Sequence, residues 1–203
     1  MRNPISLRLP TALLVTTLTV AACSGDPMAE HSGGNGGNGG AGASAPSAAA
    51  ANSADVMFAQ MMIPHHAQAI EMSEIVLAKR GIDRKVRAVA ERVKAAQAPE
   101  IAEVRGWLDD WGKGAGRHGM DHSGDAGMSG MMSAADMAKL EKATGSEATR
   151  IFLTGMVAHH RSAIAMAKMV LAQGRDPQVQ HLAEHVVTDQ KAEITEMNQL
   201  LKQ

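Results

Sequence analysis

A repeat of about fifty residues constrains the fold of this 203-residue chain more than any other feature of its sequence. Residues 58–79 align without a gap to residues 152–173, and ten of these 22 positions are identical. After a slip of one residue, 81–108 align with 174–201, and eleven of these 28 positions match. Because each copy has two long segments that meet near a glycine, we expect one helical hairpin built twice.

Composition predicts that the elements are helices. Alanine, leucine, glutamate and lysine are abundant, whereas aromatic residues make up 2% of the chain, and this bias favours helices over strands. The expected fold is therefore an all-α four-helix bundle of two hairpins, with one short extra helix. Pro64 predicts either a kink or a late start of the first helix. The expected helices are 53–79 (capped by Ser53 or Asp55), 84–111 (capped by Asp83), 133–143 (capped by Ser133), 146–173 (capped by Ser146) and 177–201 (with Pro177 in its first turn).

The same pattern of histidine and methionine stands in both copies, as "MMIPHHAQAIEM" at 61–72 and "MVAHHRSAIAM" at 156–166. Spacings of three and four place the first histidine of each pair, His65 or His159, on the apolar face of its helix. The second histidine, His66 or His160, lies about 100° further round. The apolar faces consist of Phe58, Met62, His65, Ala69, Met72 and Val76, and of Phe152, Met156, His159, Ala163, Met166 and Val170.

Counting from the hairpin turn predicts a polar layer across the bundle. His66 lies 15 residues before Gly81, and Gln97 lies 16 residues after it. In an antiparallel pair these two residues should sit at the same height. The second copy repeats this relation across its own turn. The expected layer therefore contains the four histidines together with Gln97, Glu100, Gln190 and Glu193.

Imidazole and thioether groups are ligands of soft or borderline metal ions, and thioethers suit Cu(I) among them. The layer predicts two metal half-sites or one shared site, with Met62, Met72, Met156 and Met166 as sulfur ligands or as their apolar surround. The alternative is that the histidines are hydrogen-bonded core residues and the methionines ordinary packing. His181 and His185 on the last helix are further candidate ligands, which could equally be exposed surface histidines. His118, Met120 and His122 are candidates in the Gly-rich loop 112–133, where the density of histidine and methionine favours a metal-capturing arm over a polar linker.

The start of the chain is typical of an export signal. Arg2 and Arg8 flank the start of an apolar segment, "TALLVTTLTV", and "VAAC" then ends at Cys23, the only cysteine. This arrangement resembles a bacterial lipoprotein signal, in which Cys23 carries the lipid. The alternative is an ordinary secretory signal with an incidental cysteine. The expected organisation is a signal peptide at 1–22, a lipidated cysteine and flexible Gly/Ser/Ala tether at 23–52, and the bundle at 53–203.

At "MMIPHHAQAIEM", "FLTGMVAHHRSAIAM" and "AEITEMNQLL", the sequence resembles domain-of-unknown-function family 305 over about residues 55–202. The resemblance implies an exported bacterial protein with a ferritin-like four-helix bundle. It also implies copper, because some members are linked to copper binding and resistance. By this resemblance the signature positions are Met62, His65, His66, Met72, Met156, His159, His160 and Met166.

Three functions remain open at this point. The leading hypothesis is a membrane-anchored lipoprotein that binds Cu(I), Cu(II) or both for buffering, resistance or transfer to a copper-trafficking protein. A ferritin-like di-metal oxidoreductase is the second, although such sites use Glu-x-x-His pairs and neither Glu100 nor Glu193 has a histidine three residues later. A metal-free structural or interaction bundle is the third. The net charge of −1 and the absence of tyrosine argue against nucleic acid as a partner, and no catalytic residues are identified.

Overall fold

The computed structural model describes residues 50–114 and 130–203 of the chain. All regular secondary structure within these residues is α-helical, which confirms the predicted all-α class. Helices α1 and α2 form one hairpin, α4 and α5 form the other, and α1 packs along α4 to join them, while α3 lies against α1 and α4. The helices are α1 (Ser53–Ala78), α2 (Arg84–Asp110), α3 (Ala134–Lys142), α4 (Gly145–Gln173) and α5 (Pro177–Leu200).

Several helix ends match the sequence signals. The side chains of Asp83 and Ser133 accept hydrogen bonds from the first-turn amides of α2 and α3. Pro177 occupies the first turn of α5, as predicted. Gly81, in the turn of the first hairpin, has a φ of 74°, a left-handed conformation that favours glycine. The predicted turn chemistry is therefore confirmed at these positions.

Other helix starts differ from the prediction. Asn52 caps α1, because its side-chain oxygen accepts hydrogen bonds from the amides of Ala54 and Asp55; the prediction of Ser53 or Asp55 as the cap was wrong. Ser146 does not cap α4 either, since that helix already begins at Gly145 after Thr144, which makes no side-chain cap hydrogen bond.

Two prolines lie inside helices. Pro64 belongs to α1, which begins well before it at Ser53, so a late start of the first helix is excluded. Pro99 likewise lies within α2. A proline lacks the N–H that would bond to the preceding turn. Packing against neighbouring helices therefore maintains α1 and α2 as single helices despite the lost hydrogen bonds.

The apolar core is divided into two clusters. The first cluster contains Met72, Phe152 and Met156, and the second contains Met62 and Met166. The buried apolar residues of α1 that precede His65 belong to the second cluster, and those that follow His66 belong to the first cluster. On α4 this order is reversed around its own histidine pair, as expected for two antiparallel helices. The histidines thus occupy the boundary between two hydrophobic clusters.

The start of α1 is tied to the turn between α4 and α5 by one buried carboxylate. Asp55 accepts hydrogen bonds from the backbone N–H groups of Arg175 (3.0 Å), Asp176 (3.2 Å) and Asn52 (2.8 Å). Gly174 is required in this turn for a steric reason, since a Cβ there would lie 2.3 Å from Oδ1 of Asp55. The two hairpins are therefore joined by polar contacts as well as by the core.

No helix in the described ranges is both long enough and apolar enough to cross a membrane.

We expect Asp55→Ala to lower the free energy of unfolding by about 3 kcal/mol, because it removes charge-assisted hydrogen bonds and leaves backbone N–H groups unpaired. Urea denaturation followed by circular dichroism measures this loss. The matched control is Asp189→Ala, at an exposed carboxylate, which should cost less than about 0.5 kcal/mol. Equal losses in the two variants would contradict the structural role of Asp55.

Candidate metal centre

Four histidines lie together between the two apolar clusters. His65 and His66 come from α1, and His159 and His160 come from α4. All four are 0% exposed to solvent. The prediction that the first histidine of each pair points inward is confirmed, and the second histidine is equally buried. We call this group, with Gln97 and Gln190, the histidine layer.

The inner pair of the histidine layer consists of His65 and His159. Their ring centroids are 3.7 Å apart, and the ring planes are inclined by 35°. Among the described residues, no partner forms a well-aligned side-chain hydrogen bond with either nitrogen of either ring. Two imidazoles from different hairpins therefore pack directly on each other, so the shared layer joins the two repeat units.

The outer histidines are each paired with a glutamate of the same hairpin. Nε2 of His66 lies 2.6 Å from Oε2 of Glu100, and Nε2 of His160 lies 2.6 Å from Oε2 of Glu193. The glutamates are partly exposed, with side-chain exposures of 23% and 18%. These matching contacts confirm that the histidines and glutamates predicted from the repeat lie at one level.

Two glutamines complete the histidine layer. Gln97 and Gln190 are buried, with 3% and 4% exposure. Within the parts of the chain that the structure describes, Oε1 of each glutamine has no hydrogen-bond partner, and neither does Nδ1 of His66 or of His160. Buried polar atoms are usually hydrogen-bonded. A group of unpartnered acceptors at one level is therefore a feature that a purely structural core would avoid.

The inner histidines are held in the neutral form. Burial, together with repulsion from His159, His66 and His160, lowers the pKa of His65 to about 2. Burial, together with repulsion from His160 and His66, lowers the pKa of His159 to about 3 against a smaller opposing effect of the His65 backbone. Because a neutral imidazole has a free lone pair, these rings are in the protonation state that metal binding requires.

The four signature methionines lie on both sides of the histidine layer. Met72 and Met156 belong to the first cluster, and Met62 and Met166 belong to the second. All four are buried, with exposures of at most 7%. The structure thus places them as the apolar surround of the histidines, and their role as sulfur ligands stays a prediction.

The remaining candidate ligands are not part of this layer. His181 and His185 lie exposed on α5, with ring centroids 4.5 Å apart. Nδ1 of His185 is 4.0 Å from Oδ2 of Asp189. The other candidates, at His118, Met120 and His122, lie outside the described residues, as does Cys23.

The histidine layer is not arranged as a finished metal site. In the described residues, no group of three or more His, Cys, Asp or Glu side chains has the geometry to hold a metal ion. The inner rings instead stack on each other. The donor set nevertheless fits a soft or borderline metal ion, because it offers neutral imidazoles with free nitrogens beside thioethers. Binding there would require the inner rings to rotate apart.

A further group of methionines was not singled out from the sequence. Met57, Met61, Met166 and Met169 line one surface cleft between α1 and α4. Met57 and Met61 are four residues apart on α1, and Met166 and Met169 are three residues apart on α4, so each pair shares a helix face. This spacing is the sequence signal that could have identified the group.

We expect the metal-free protein to lose stability as the pH falls below 6.5. The folded-state pKa values of His65 and His159 are lowered, to about 2 and about 3, so the unfolded state binds more protons in the window between those values and 6.5. The stabilisation that the two neutral histidines contribute is complete above pH 6.5. Below pH 6.5 the free energy of unfolding falls by about 1.4 kcal/mol per histidine per pH unit. The free energy of unfolding, measured by urea denaturation, should be about 3 kcal/mol lower at pH 5.5 than at pH 7.5 because of these two histidines.

The control for this experiment is the double variant His65→Gln/His159→Gln. Glutamine does not titrate, so the variant should lose most of the difference between the two pH values. An equally large difference in parent and variant would show that other groups cause the acid sensitivity.

The family described as Domain of unknown function (DUF305) matches residues 55–201. A DUF305 fragment from Deinococcus radiodurans has 32% identity and a TM-score of 0.68, covering 75% of this chain and 97% of that chain. A candidate secreted protein of DUF305 from Streptomyces coelicolor has 35% identity and a TM-score of 0.66, covering 73% and 91%. These two structures share the helical architecture described above.

CopM is similar to the chain as well. In its Cu(II)-bound form it has 28% identity and a TM-score of 0.64, covering 73% of this chain and 95% of that chain. CopM structures with Cu(I), with silver and without metal also match. A curated relative, the uncharacterized protein L153 of Acanthamoeba polyphaga mimivirus, is 40% identical over 50 residues. That match covers 25% of this chain and spans only a third (33%) of the viral protein's length.

Proposed function

The chain belongs to the DUF305 family, and we propose from this membership and from the histidine layer that it is an exported copper-binding protein. The similar proteins include one solved with Cu(II) and with Cu(I) and one that is a candidate secreted protein. Copper is the cargo of the protein in this proposal. Its binding buffers the metal outside the cytoplasm or passes it to another copper-trafficking protein.

The observation that carries this function is the set of buried, unpartnered imidazole nitrogens. An unsatisfied buried polar group costs about 1–3 kcal/mol. Such groups on His65, His66, His159 and His160 lie at a single level. A copper ion would supply the missing partner for several of these atoms at once. The cost of leaving them unpaired favours binding over a structural role.

Glu193 determines which ring nitrogen is free in His160. In its neutral form, His160 donates its Nε2 hydrogen to Glu193, at 2.6 Å. That contact leaves Nδ1 as the atom with the lone pair, and Nδ1 has no partner among the described residues. Nε2 of His66 lies at the same distance from Glu100, but that contact does not have hydrogen-bond geometry, and neither ring nitrogen of His66 has a hydrogen-bond partner among the described residues. A carboxylate that fixes the tautomer of a histidine in this way is typical of metal ligands.

The two other functions have less support. A di-metal oxidoreductase of the ferritin type draws glutamates from all four helices, whereas the glutamates that contact the histidine layer in the described residues are Glu100 and Glu193, both partly exposed. A metal-free structural bundle leaves the unpartnered nitrogens unexplained. We therefore retain copper binding, with imidazole nitrogens as the principal ligands and thioethers favouring Cu(I).

We expect His65→Gln/His159→Gln to fold but to bind copper at least about tenfold more weakly, or by about 1.4 kcal/mol, because it removes both inner imidazoles. Titration with Cu(II), and with Cu(I) under reducing conditions, measures this change. The matched control is His181→Gln/His185→Gln, which removes two exposed histidines of α5. Equal affinity in the parent and the inner variant would exclude the histidine layer as the copper site.

The single variants distinguish two arrangements of the site. A loss divided evenly between His65→Gln and His159→Gln indicates two separate half-sites, one in each hairpin. A complete loss from either change alone indicates one shared site.

We also propose that Cys23 carries the lipid that anchors the protein to the extracytoplasmic face of a bacterial membrane, as a periplasmic or cell-surface lipoprotein. Cys23→Ala should then move the protein from the membrane fraction to the soluble fraction, because stable attachment depends on the acyl chains. Fractionation followed by immunoblotting measures this change, with Ser24→Ala as the control. Continued membrane association of Cys23→Ala would contradict lipid anchoring.

A further inference from the structure

We propose that the surface cleft between α1 and α4 is a second metal site, which takes Cu(I) through methionine thioethers. This inference rests on the proposed copper function, but it concerns different residues from the histidine layer. The thioethers belong to Met57 and Met61 on α1 and to Met166 and Met169 on α4. We call this group the methionine cleft.

The exposure of these methionines is unusual for the molecule. Met57 is 50% exposed and Met169 is 47% exposed. Among the described residues, the only other large hydrophobic side chain that is exposed is Leu201. Exposed apolar side chains are therefore concentrated at one cleft, and both of those in the cleft are methionines. Scattered single residues of this kind need no explanation, whereas these two line the same cleft.

The lining of the methionine cleft selects for a soft metal ion. Its other residues are Ala54, Phe58, Val170 and Gln173, so the lining formed by residues 50–114 and 130–203 contains no charged side chain, imidazole or thiolate. Hard divalent ions require oxygen ligands, and zinc requires nitrogen, thiolate or carboxylate ligands. A neutral set of thioethers instead suits Cu(I). The chemistry of the cleft thus differs from that of the histidine layer, which suits both oxidation states of copper.

The dimensions of the methionine cleft also fit a single ion. The space inside it is about 20 Å³, which is enough for one water-sized particle. Methionine side chains are unbranched and flexible, so the exposed pair could adjust to an ion bound beside the inner methionine. Met166 is that inner residue, at 7% exposure.

The methionine cleft lies beside the second cluster and leads towards the histidine layer. Phe58, Met166 and Val170 belong both to the cleft lining and to the second cluster. Met61 precedes His65 by four residues on α1, a rise of about 6 Å along the helix. Met166 follows His159 by seven residues on α4, a rise of about 10 Å. A Cu(I) ion taken up at the surface would therefore lie within two helical turns of the buried imidazoles.

The test compares two pairs of methionine-to-leucine substitutions in the full chain. Met57→Leu/Met169→Leu removes the exposed thioethers of the cleft, whereas the control Met137→Leu/Met197→Leu removes two buried thioethers of the first cluster. Leucine conserves the apolar volume, so each pair should cost little stability. Cu(I) titration against a chromophoric competitor under reducing conditions should show that the cleft variant loses about one equivalent of Cu(I). Its Cu(II) binding, and the Cu(I) binding of the control, should not change.

A second measurement locates the ion directly. In protein labelled with ¹³C at the methionine methyl groups, the diamagnetic ion Ag(I) should shift the resonances of Met57, Met61, Met166 and Met169 together. If the cleft variant keeps the full Cu(I) stoichiometry and these resonances do not move, the methionine cleft is not a metal site. The copper function then still stands if His65→Gln/His159→Gln loses copper. If the parent binds neither Cu(I) nor Cu(II), both the function and the second site are wrong.

Discussion

The packing of four buried imidazoles between two apolar clusters is the constraint on which the rest of the structure depends. A charged imidazole in this position would be desolvated and repelled by its neighbours, as the lowered pKa values of His65 and His159 express. The signature methionines on both sides of the layer are buried, and each outer histidine has a glutamate 2.6 Å from its Nε2 at the edge of the bundle. The twofold repetition matters because each hairpin contributes one half of the layer. The two halves meet where the rings of His65 and His159 stack.

Much of this arrangement could be predicted from the sequence because the repeat acts as an internal alignment. The spacing from the hairpin turn gives the height of His66 relative to Gln97 and Glu100, and the observed contact with Glu100 agrees. Local signals such as Asp83 and Pro177 also predict helix starts, since their effect depends only on neighbouring residues. Helical hairpins of this kind follow from composition and periodicity alone.

Contacts between distant parts of the chain could not be predicted in this way. Asp55 reads as a helix cap in the sequence, but its carboxylate accepts hydrogen bonds from backbone groups about 120 positions further on, at Arg175 and Asp176. The stacking of the inner rings depends on how the two hairpins pack, and the periodicity of one helix does not contain that information. The methionine cleft was missed for the same reason, because its residues come from two helices and only two of them lie exposed. Local patterns thus predict the elements and their levels, whereas the closest contacts arise from docking of the hairpins.

The two proposed copper sites lie on opposite sides of the second cluster and differ in their ligands. The histidine layer offers imidazoles inside the bundle, and the methionine cleft offers thioethers at the surface. The most direct test of the central claim is the ¹⁵N spectrum of the histidine ring nitrogens, recorded on the metal-free protein and after addition of Cu(I), which is diamagnetic. The account predicts that the free nitrogens of His65, His66, His159 and His160 shift on binding, whereas those of the exposed His181 and His185 stay in place. Unchanged spectra of the four buried histidines in protein that has bound copper would contradict the account.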